Sequence, residues 1–178
     1  PSRGTPDYFN KCGKTDACVP KNFAGSARAN SGVGYCGIIL RKNFTRDNKI
    51  TGEKAEIYRE YIQAELNSEL VKGKKYRVKF YVCNSSNSRF AVDAIGAYIS
   101  MERPKSTHDE VLEFVPQIEN PSGKYISNRD YWVAIEGIYE AQGGEKFITI
   151  GNFNNNFSTN YIMMEGKSDF NYAYYYID

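Results

Sequence analysis

The run Lys-Lys-Tyr-Arg-Val-Lys-Phe-Tyr-Val at residues 74–82 constrains this chain more than any other stretch. Tyr76, Val78, Phe80 and Val82 fall on one side of an extended backbone; Lys75, Arg77, Lys79 and Tyr81 fall on the other. Strict period-two alternation belongs to a strand with one buried and one solvated face, because successive side chains point to opposite sides. Gly73 precedes the run and Asn84-Ser85-Ser86-Asn87-Ser88 follows it, both turn chemistry. An apolar run over residues 90–99 comes next, broken by Asp93. Two strand patterns joined by a short polar link predict an antiparallel pair at the centre of a sheet. Asp93 is expected to be a structural, hydrogen-bonded acid, paired with Arg59 or Arg89.

The rest of the chain repeats that theme. Short apolar runs at 35–41, 61–66, 131–141, 146–153 and 172–178 read as strands, separated by turn signals. Residues 111–114 add a short edge strand, and Gln142-Gly143-Gly144-Glu145 joins its two flanking strands as a hairpin. Residues 56–66 also carry a helical spacing at Ile57, Tyr61 and Ala64, but the alternation Ile62, Ala64, Leu66 favours a strand from 61. Tyr61, Gln63 and Glu65 then face outward. Asp47-Asn48 reads as a turn, and Asn43-Phe44-Thr45 is a glycosylation sequon if the host is eukaryotic. Residues 1–29 hold Gly4, Pro6, Gly13, Pro20 and Gly25 among aromatics, the composition of a long ordered loop. The pattern predicts an all-β, antiparallel β-sandwich or jelly roll, with Trp132 in its core.

At 178 residues the chain suits one domain, 1–178, with a real core. A net charge of +2 with no basic stretch gives no nucleic-acid footprint. No apolar run reaches the length of a membrane span, so no direct membrane insertion is expected. The chain opens Pro-Ser-Arg-Gly without a Met or a signal peptide, as a mature or excised segment would. Cys12 and Cys18 bracket a polar loop that a disulfide would pin; Cys36 and Cys83 either pair across strands or stay reduced in the core. Cysteine usage favours an exported, oxidising location. There is no CxxC, and His108 is the only His, so zinc is not expected.

Fifteen tyrosines against one tryptophan admit two explanations. Tyr is a good strand former, and Tyr also offers a stacking face with a hydroxyl. Sugars suit the second use, because their CH faces stack on rings and their hydroxyls meet planar polar groups. Outward sheet positions recur every second residue, so Tyr61 and Gln63 with Arg77 and Tyr81 form a candidate face. Tyr8, Phe9 and Asn22 would wall it from the long loop. Arg59 joins this set or pairs with an acid. Catalysis has less behind it: one His in a polar loop, no GxSxG, and acids (Asp7, Glu60, Glu65, Asp93) that sequence does not bring face to face.

Several stretches in fixed order carry a resemblance. They are Thr5-Pro6-Asp7-Tyr8-Phe9-Asn10, Val19-Pro20-Lys21-Asn22-Phe23-Ala24-Gly25, Ser31-Gly32-Val33-Gly34-Tyr35-Cys36-Gly37-Ile38 and Tyr58-Arg59-Glu60-Tyr61-Ile62-Gln63. Ala91-Val92-Asp93-Ala94-Ile95-Gly96-Ala97-Tyr98, Gly144-Glu145, Ile148-Thr149-Ile150-Gly151-Asn152-Phe153 and Tyr174-Tyr175-Tyr176-Ile177-Asp178 complete the set. Together they resemble a domain of secreted and outer-membrane proteins of Bacteroidetes-type bacteria, often placed ahead of an OmpA-like module. That domain is similar to the galactose-binding-like jelly rolls of carbohydrate-binding modules. The resemblance implies a non-catalytic module that binds a polysaccharide or cell-surface glycan, exported to or beyond the cell surface. An alternative partner is an envelope protein, with the domain acting as a scaffold in an outer-membrane, secretion or gliding assembly. The family's first strand, with an Asn-Pro-Ser-Phe-Glu-like start, is absent here. Such modules often hold a structural calcium between that strand and a terminal Asp, which Asp178 matches; no other cofactor is implied.

Overall fold

The computed structural model describes residues 4–42, 57–166, 168 and 170–178. The Asp47-Asn48 turn and the Asn43-Phe44-Thr45 sequon lie outside the described residues. Strands in chain order are β1 (Asp7–Asn10), β2 (Lys21–Asn22), β3 (Gly25–Ser26), β4 (Gly34–Lys42), β5 (Tyr61–Glu65) and β6 (Lys75–Asn84). They continue with β7 (Phe90–Val92), β8 (Gly96–Ser100), β9 (Ile118–Glu119), β10 (Val133–Glu140), β11 (Phe147–Gly151), β12 (Tyr161–Met163) and β13 (Tyr172–Ile177). A five-stranded sheet has the order β1-β4-β13-β6-β10, and a four-stranded sheet has the order β5-β11-β8-β9. Strand pairs β12-β7 and β2-β3 complete the architecture. Every strand pairing is antiparallel, as the alternation predicts. No described helix is long and apolar enough to cross a membrane.

The two large sheets meet face to face. Ile38 and Leu40 of β4, Phe80 and Val82 of β6, Ile135 of β10 and Tyr175 of β13 pack with Ala97 of β8, Ile118 of β9 and the half-buried Ile148 and Ile150 of β11. The inner residues of β6 are those on its apolar side, so its alternation is fulfilled, with Arg77 and Lys79 in solvent.

β13 lies between β4 and β6 and is buried on both faces. Ala173, Tyr175 and Ile177 enter the core between the sheets. Tyr174 and Tyr176 point the other way, into a second cluster with Phe9, Val19, Ala24, Tyr35 and the half-buried Trp132. The long N-terminal segment is therefore ordered, as its aromatics predict, and it forms a layer over the outer face of the five-stranded sheet. Gly37 is required there, because a Cβ on it would collide with the ring of Tyr174 and with Phe9.

Four expectations are corrected. The runs at 74–83 and 90–99 do not pair: β6 belongs to the five-stranded sheet, β7 joins β12, and β8 enters the four-stranded sheet. Residues 131–141 and 146–153 do not form a hairpin either, since β10 pairs with β6 and β11 with β5 and β8. The link between them crosses from one sheet to the other. Gly143 has φ +100° there, and the Glu145 carboxylate accepts hydrogen bonds from the Gln142 and Gly143 amides at 2.6 and 2.9 Å. Residues 111–114 are not a strand; the short edge strand is β9. Finally, Trp132 is half-buried on the outer side, edge-on to Tyr35, with Nε1 donating to the Arg28 carbonyl.

Asp93 is the buried structural acid expected, with different partners. Its carboxylate accepts from the Gly123 amide at 2.7 Å and from the Asn160 amide and side chain at 3.1 and 2.7 Å, not from Arg59 or Arg89. All four cysteines are free thiols. The Cys12–Cys18 disulfide is not formed: Cys18 Sγ turns to the Gly13 carbonyl at 2.6 Å, and backbone bridging of Cys18 to Asn10 closes the loop instead.

Candidate functional site

The candidate face read from the sequence comes apart in space. Arg59 and Tyr61 are 0% and 1% exposed, and Phe9 is 1% exposed. Tyr61 is on β5, but its ring turns under residues 101–117, where its hydroxyl donates to the Asn152 carbonyl at 2.7 Å and accepts from the Leu112 amide at 3.0 Å. Arg59 donates to the carbonyls of Tyr58 and Asn154 and to Asn156 Oδ1. It holds the 154–156 loop with no carboxylate partner among the described residues, and burial draws its pKa down to about 10. Asn22 ties Tyr35, Tyr176 and the Ala24 amide together, so its polar atoms serve the N-terminal layer. Tyr8 is exposed and linked to Asn10. Arg77 pairs with Glu136 at 2.7 Å, and Lys79 lies over the Tyr81 ring at 4.7 Å, which leaves an ordinary solvated charge pattern on the outer face of β6. Gln63 is half-buried and bonds to Thr149 Oγ1 and the Pro104 carbonyl at 3.0 and 3.3 Å.

Each of the four acids has a partner within the fold, and the charge of Asp7 also acts on Glu60. Glu60 accepts from the Ile39 amide, the Tyr58 hydroxyl and the Thr5 amide, and Asp7 accepts from Tyr174 at 2.6 Å. Burial pushes both carboxyls up. They clamp the N-terminal segment to the sheet edge. Glu65 is exposed beside Arg103, and Asp93 is enclosed by its donors. The terminal Asp178 carboxylate accepts from the amides of Asn30 and Ser31 and from the Ser31 hydroxyl, so hydrogen-bond donors occupy the oxygens a calcium would need. Among the described residues no group of three or more potential metal ligands occurs.

The structure brings together a different set. Residues 101–117 leave β8 and lie across the outer face of the four-stranded sheet, with Leu112 packed on Tyr61 and Phe153. At the rim they leave a groove of about 520 Å³. Tyr98 of β8 lines it in a parallel stack with Phe114, centroids 4.5 Å apart at 15°. Tyr98 is outward by simple alternation, since Ala97 and Ile99 are inward; Phe114 reaches it only through the return of the loop.

Tyr139, Gln117, Gln142 and Glu145 close the other side. Gln117 takes the place of a missing strand residue, donating to the Ile99 carbonyl and accepting from the Ile99 amide at 3.0 and 2.8 Å. Glu145 is held by Tyr139, Gln142 and Gly143. Burial raises its pKa, but those hydrogen bonds outweigh it and keep the carboxyl below its usual range. It is therefore ionised at neutral pH and unsuited to deliver a proton. By contrast the Tyr98 hydroxyl, the Gln142 side chain and the Lys105 ammonium make no hydrogen bond within the described residues, and all three residues line the groove.

A second hollow, lined by Gln63 and residues 103–108, adjoins the groove and shares Arg103, Pro104 and Lys105 with it. A third lies beside Trp132, Arg129 and Cys83. There part of the polar lining is committed: Trp132 to Arg28, Arg129 to the carbonyls of Ser88 and Glu165, and Cys83, whose thiol burial pushes up to about 11, to neighbouring carbonyls, while Arg129 Nε has no hydrogen-bond partner among the described residues. No family model, curated protein or solved structure matches the chain.

Proposed function

We propose that the protein is a non-catalytic, exported carbohydrate-binding module with a galactose-binding-like jelly-roll fold, and that it takes a glycan in the groove beside Tyr98 and Phe114. The observation behind this proposal is an aromatic stack next to uncommitted donors and acceptors. A pyranose needs both, a ring for its CH face and a few placed polar groups for its hydroxyls. The rim is preformed by Gln117, the Glu145 turn and the Leu112 anchor, so little ordering entropy opposes binding. Arg59, Tyr61, Phe9 and Asn22 support the scaffold; they do not touch the ligand.

Affinity electrophoresis and glycan-array binding with Tyr98→Ala and Phe114→Ala test this. Each loss should weaken binding about tenfold, the scale of one good aromatic contact. A wild-type protein that retains no polysaccharide in either assay overturns the proposal.

Docking to an envelope protein has a separate observation behind it. Among the described residues β12 pairs only with β7, and Tyr161, Ile162 and Met163 are all exposed along it. An edge strand with apolar side chains is a template for an added strand from a partner. Ile162→Lys would abolish co-purification with such a partner and leave glycan binding intact.

A further inference from the structure

We infer that the glycan is acidic, with a carboxylate or sulfate substituent seated against Lys105 in the hollow that adjoins the aromatic groove. This rests on the groove being the glycan site.

The two hollows differ in chemistry. The groove holds the aromatic stack with Glu102 and Glu145. The neighbouring hollow, about 720 Å³, has no carboxylate in its lining; its walls carry Arg103, Lys105, His108 and the hydroxyls of Ser106 and Thr107. The acids outside it compensate only part of that charge. Glu65 holds Arg103 at 3.4 Å, and Glu110 approaches His108 at 4.0 Å. Lys105 has no ion pair and no hydrogen bond among the described residues, and neither does Thr107. An uncompensated ammonium beside the free Thr107 hydroxyl, with the like charge of Arg103 next to it, favours an anion over a neutral group.

The hollow is also built. Pro104 is buried, and its carbonyl accepts from Gln63. Arg103 lies 5.0 Å from the centroid of the Phe147 ring. Ser106 Oγ accepts from the His108 amide, which closes the turn. Because Arg103, Pro104 and Lys105 border both hollows, one chain can lay a ring on Tyr98 and Phe114 and place the acid of an adjacent unit against Lys105.

Calorimetric titration with a uronic-acid oligosaccharide, its carboxyl-reduced form and a neutral glucan tests the assignment on wild type, Lys105→Ala, Lys105→Glu and Tyr98→Ala. Lys105 is exposed, so its variants should keep the fold, with thermal melts as the check. The acidic form should bind wild type about tenfold or more tightly than its reduced form. That advantage should shrink between about 0.05 and 0.5 M salt, where screening becomes short-ranged. Lys105→Ala should lose most of the advantage and Lys105→Glu all of it, while Tyr98→Ala should weaken both forms alike. Equal binding of acidic and reduced forms overturns the acidic ligand and leaves the glycan groove standing. Acid preference that survives Lys105→Glu overturns the placement. Absence of binding to every oligosaccharide removes the groove reading and this inference with it.

Discussion

The outer faces of the two sheets are both covered by a long segment, with opposite results. On the outer face of the five-stranded sheet, Phe9 of β1 and Tyr35 of β4 meet Tyr174 and Tyr176 of β13, and Phe23 of the covering segment joins them, with ring centroids between 4.8 and 6.0 Å. The hydroxyls inside this seam are satisfied: Tyr174 by Asp7, Tyr176 by Asn22, Tyr35 by Asn22 and Ala27. Over the four-stranded sheet, residues 101–117 carry fewer rings, anchor through Leu112, and leave an open rim where polar groups stay uncommitted. The same device gives a structural seam where rings fill the space and the Tyr35, Tyr174 and Tyr176 hydroxyls are paired, and an open groove where they do not.

That contrast can be broken in several ways, of which alkali has the largest effect. In the fold Tyr176 is pushed up to about 12 by burial, and so is Tyr61; burial pushes Tyr35, Tyr174 and Tyr175 higher still. The ordinary value is 10.0. A folded value above the unfolded one stabilises the protonated fold fully below about pH 10, and this stability is lost as pH rises past about 12. Tyrosinate absorbance from the seam should therefore appear together with loss of circular dichroism, in one step. Gradual ionisation before unfolding would show that the seam is wet.

Next come truncations inside each cover. Tyr174→Ala or Tyr176→Ala should cost about 3–5 kcal/mol in chemical denaturation, the scale of a buried aromatic, and leave glycan affinity of the folded protein unchanged. Phe114→Ala should do the reverse, with a small stability loss and about tenfold weaker binding. A seam variant that alters binding would mean the two faces are coupled. Gly37→Ala should cost about 1–3 kcal/mol, because its methyl group displaces Tyr174 and Phe9. The smallest effect belongs to Arg77→Ala: its pair with Glu136 is solvated, so thermal stability and glycan binding should stay within error.

The two covers also separate what was legible from what was not. The alternation of β6 could be read directly, because the period of a strand is set by backbone geometry and needs no partner, whereas the apolar run 90–99 did not mark Tyr98 as outward. The fate of Tyr61 could not be read either. Its outward position is correct for β5, yet Leu112 and Phe153, distant in sequence, close over it. Phe114 is the converse case, an aromatic in a loop that becomes part of a site only when the loop returns. Both expected hairpins failed for one reason: a short link can cross between stacked sheets about 10 Å apart as readily as it can turn within one. The choice depends on which apolar faces meet. The excess of tyrosine had two explanations, and β13 supplies a third. Its rings fill two layers while their hydroxyls tie loops down, as Tyr175 does with the Ile126 carbonyl and the Val92 amide at 2.8 and 2.9 Å.

By itself the chain determined an all-β body, the approximate extents of β4, β5, β6, β10, β11 and β13, and which side of β6 is apolar, because those follow from local backbone period and turn chemistry. Only the tertiary structure decided which strands became neighbours, that the outward rings of β5 and β13 would be buried, and where a groove would open. Those outcomes depend on contacts between residues far apart in sequence, and the burial of a side chain is a property of whatever packs over it.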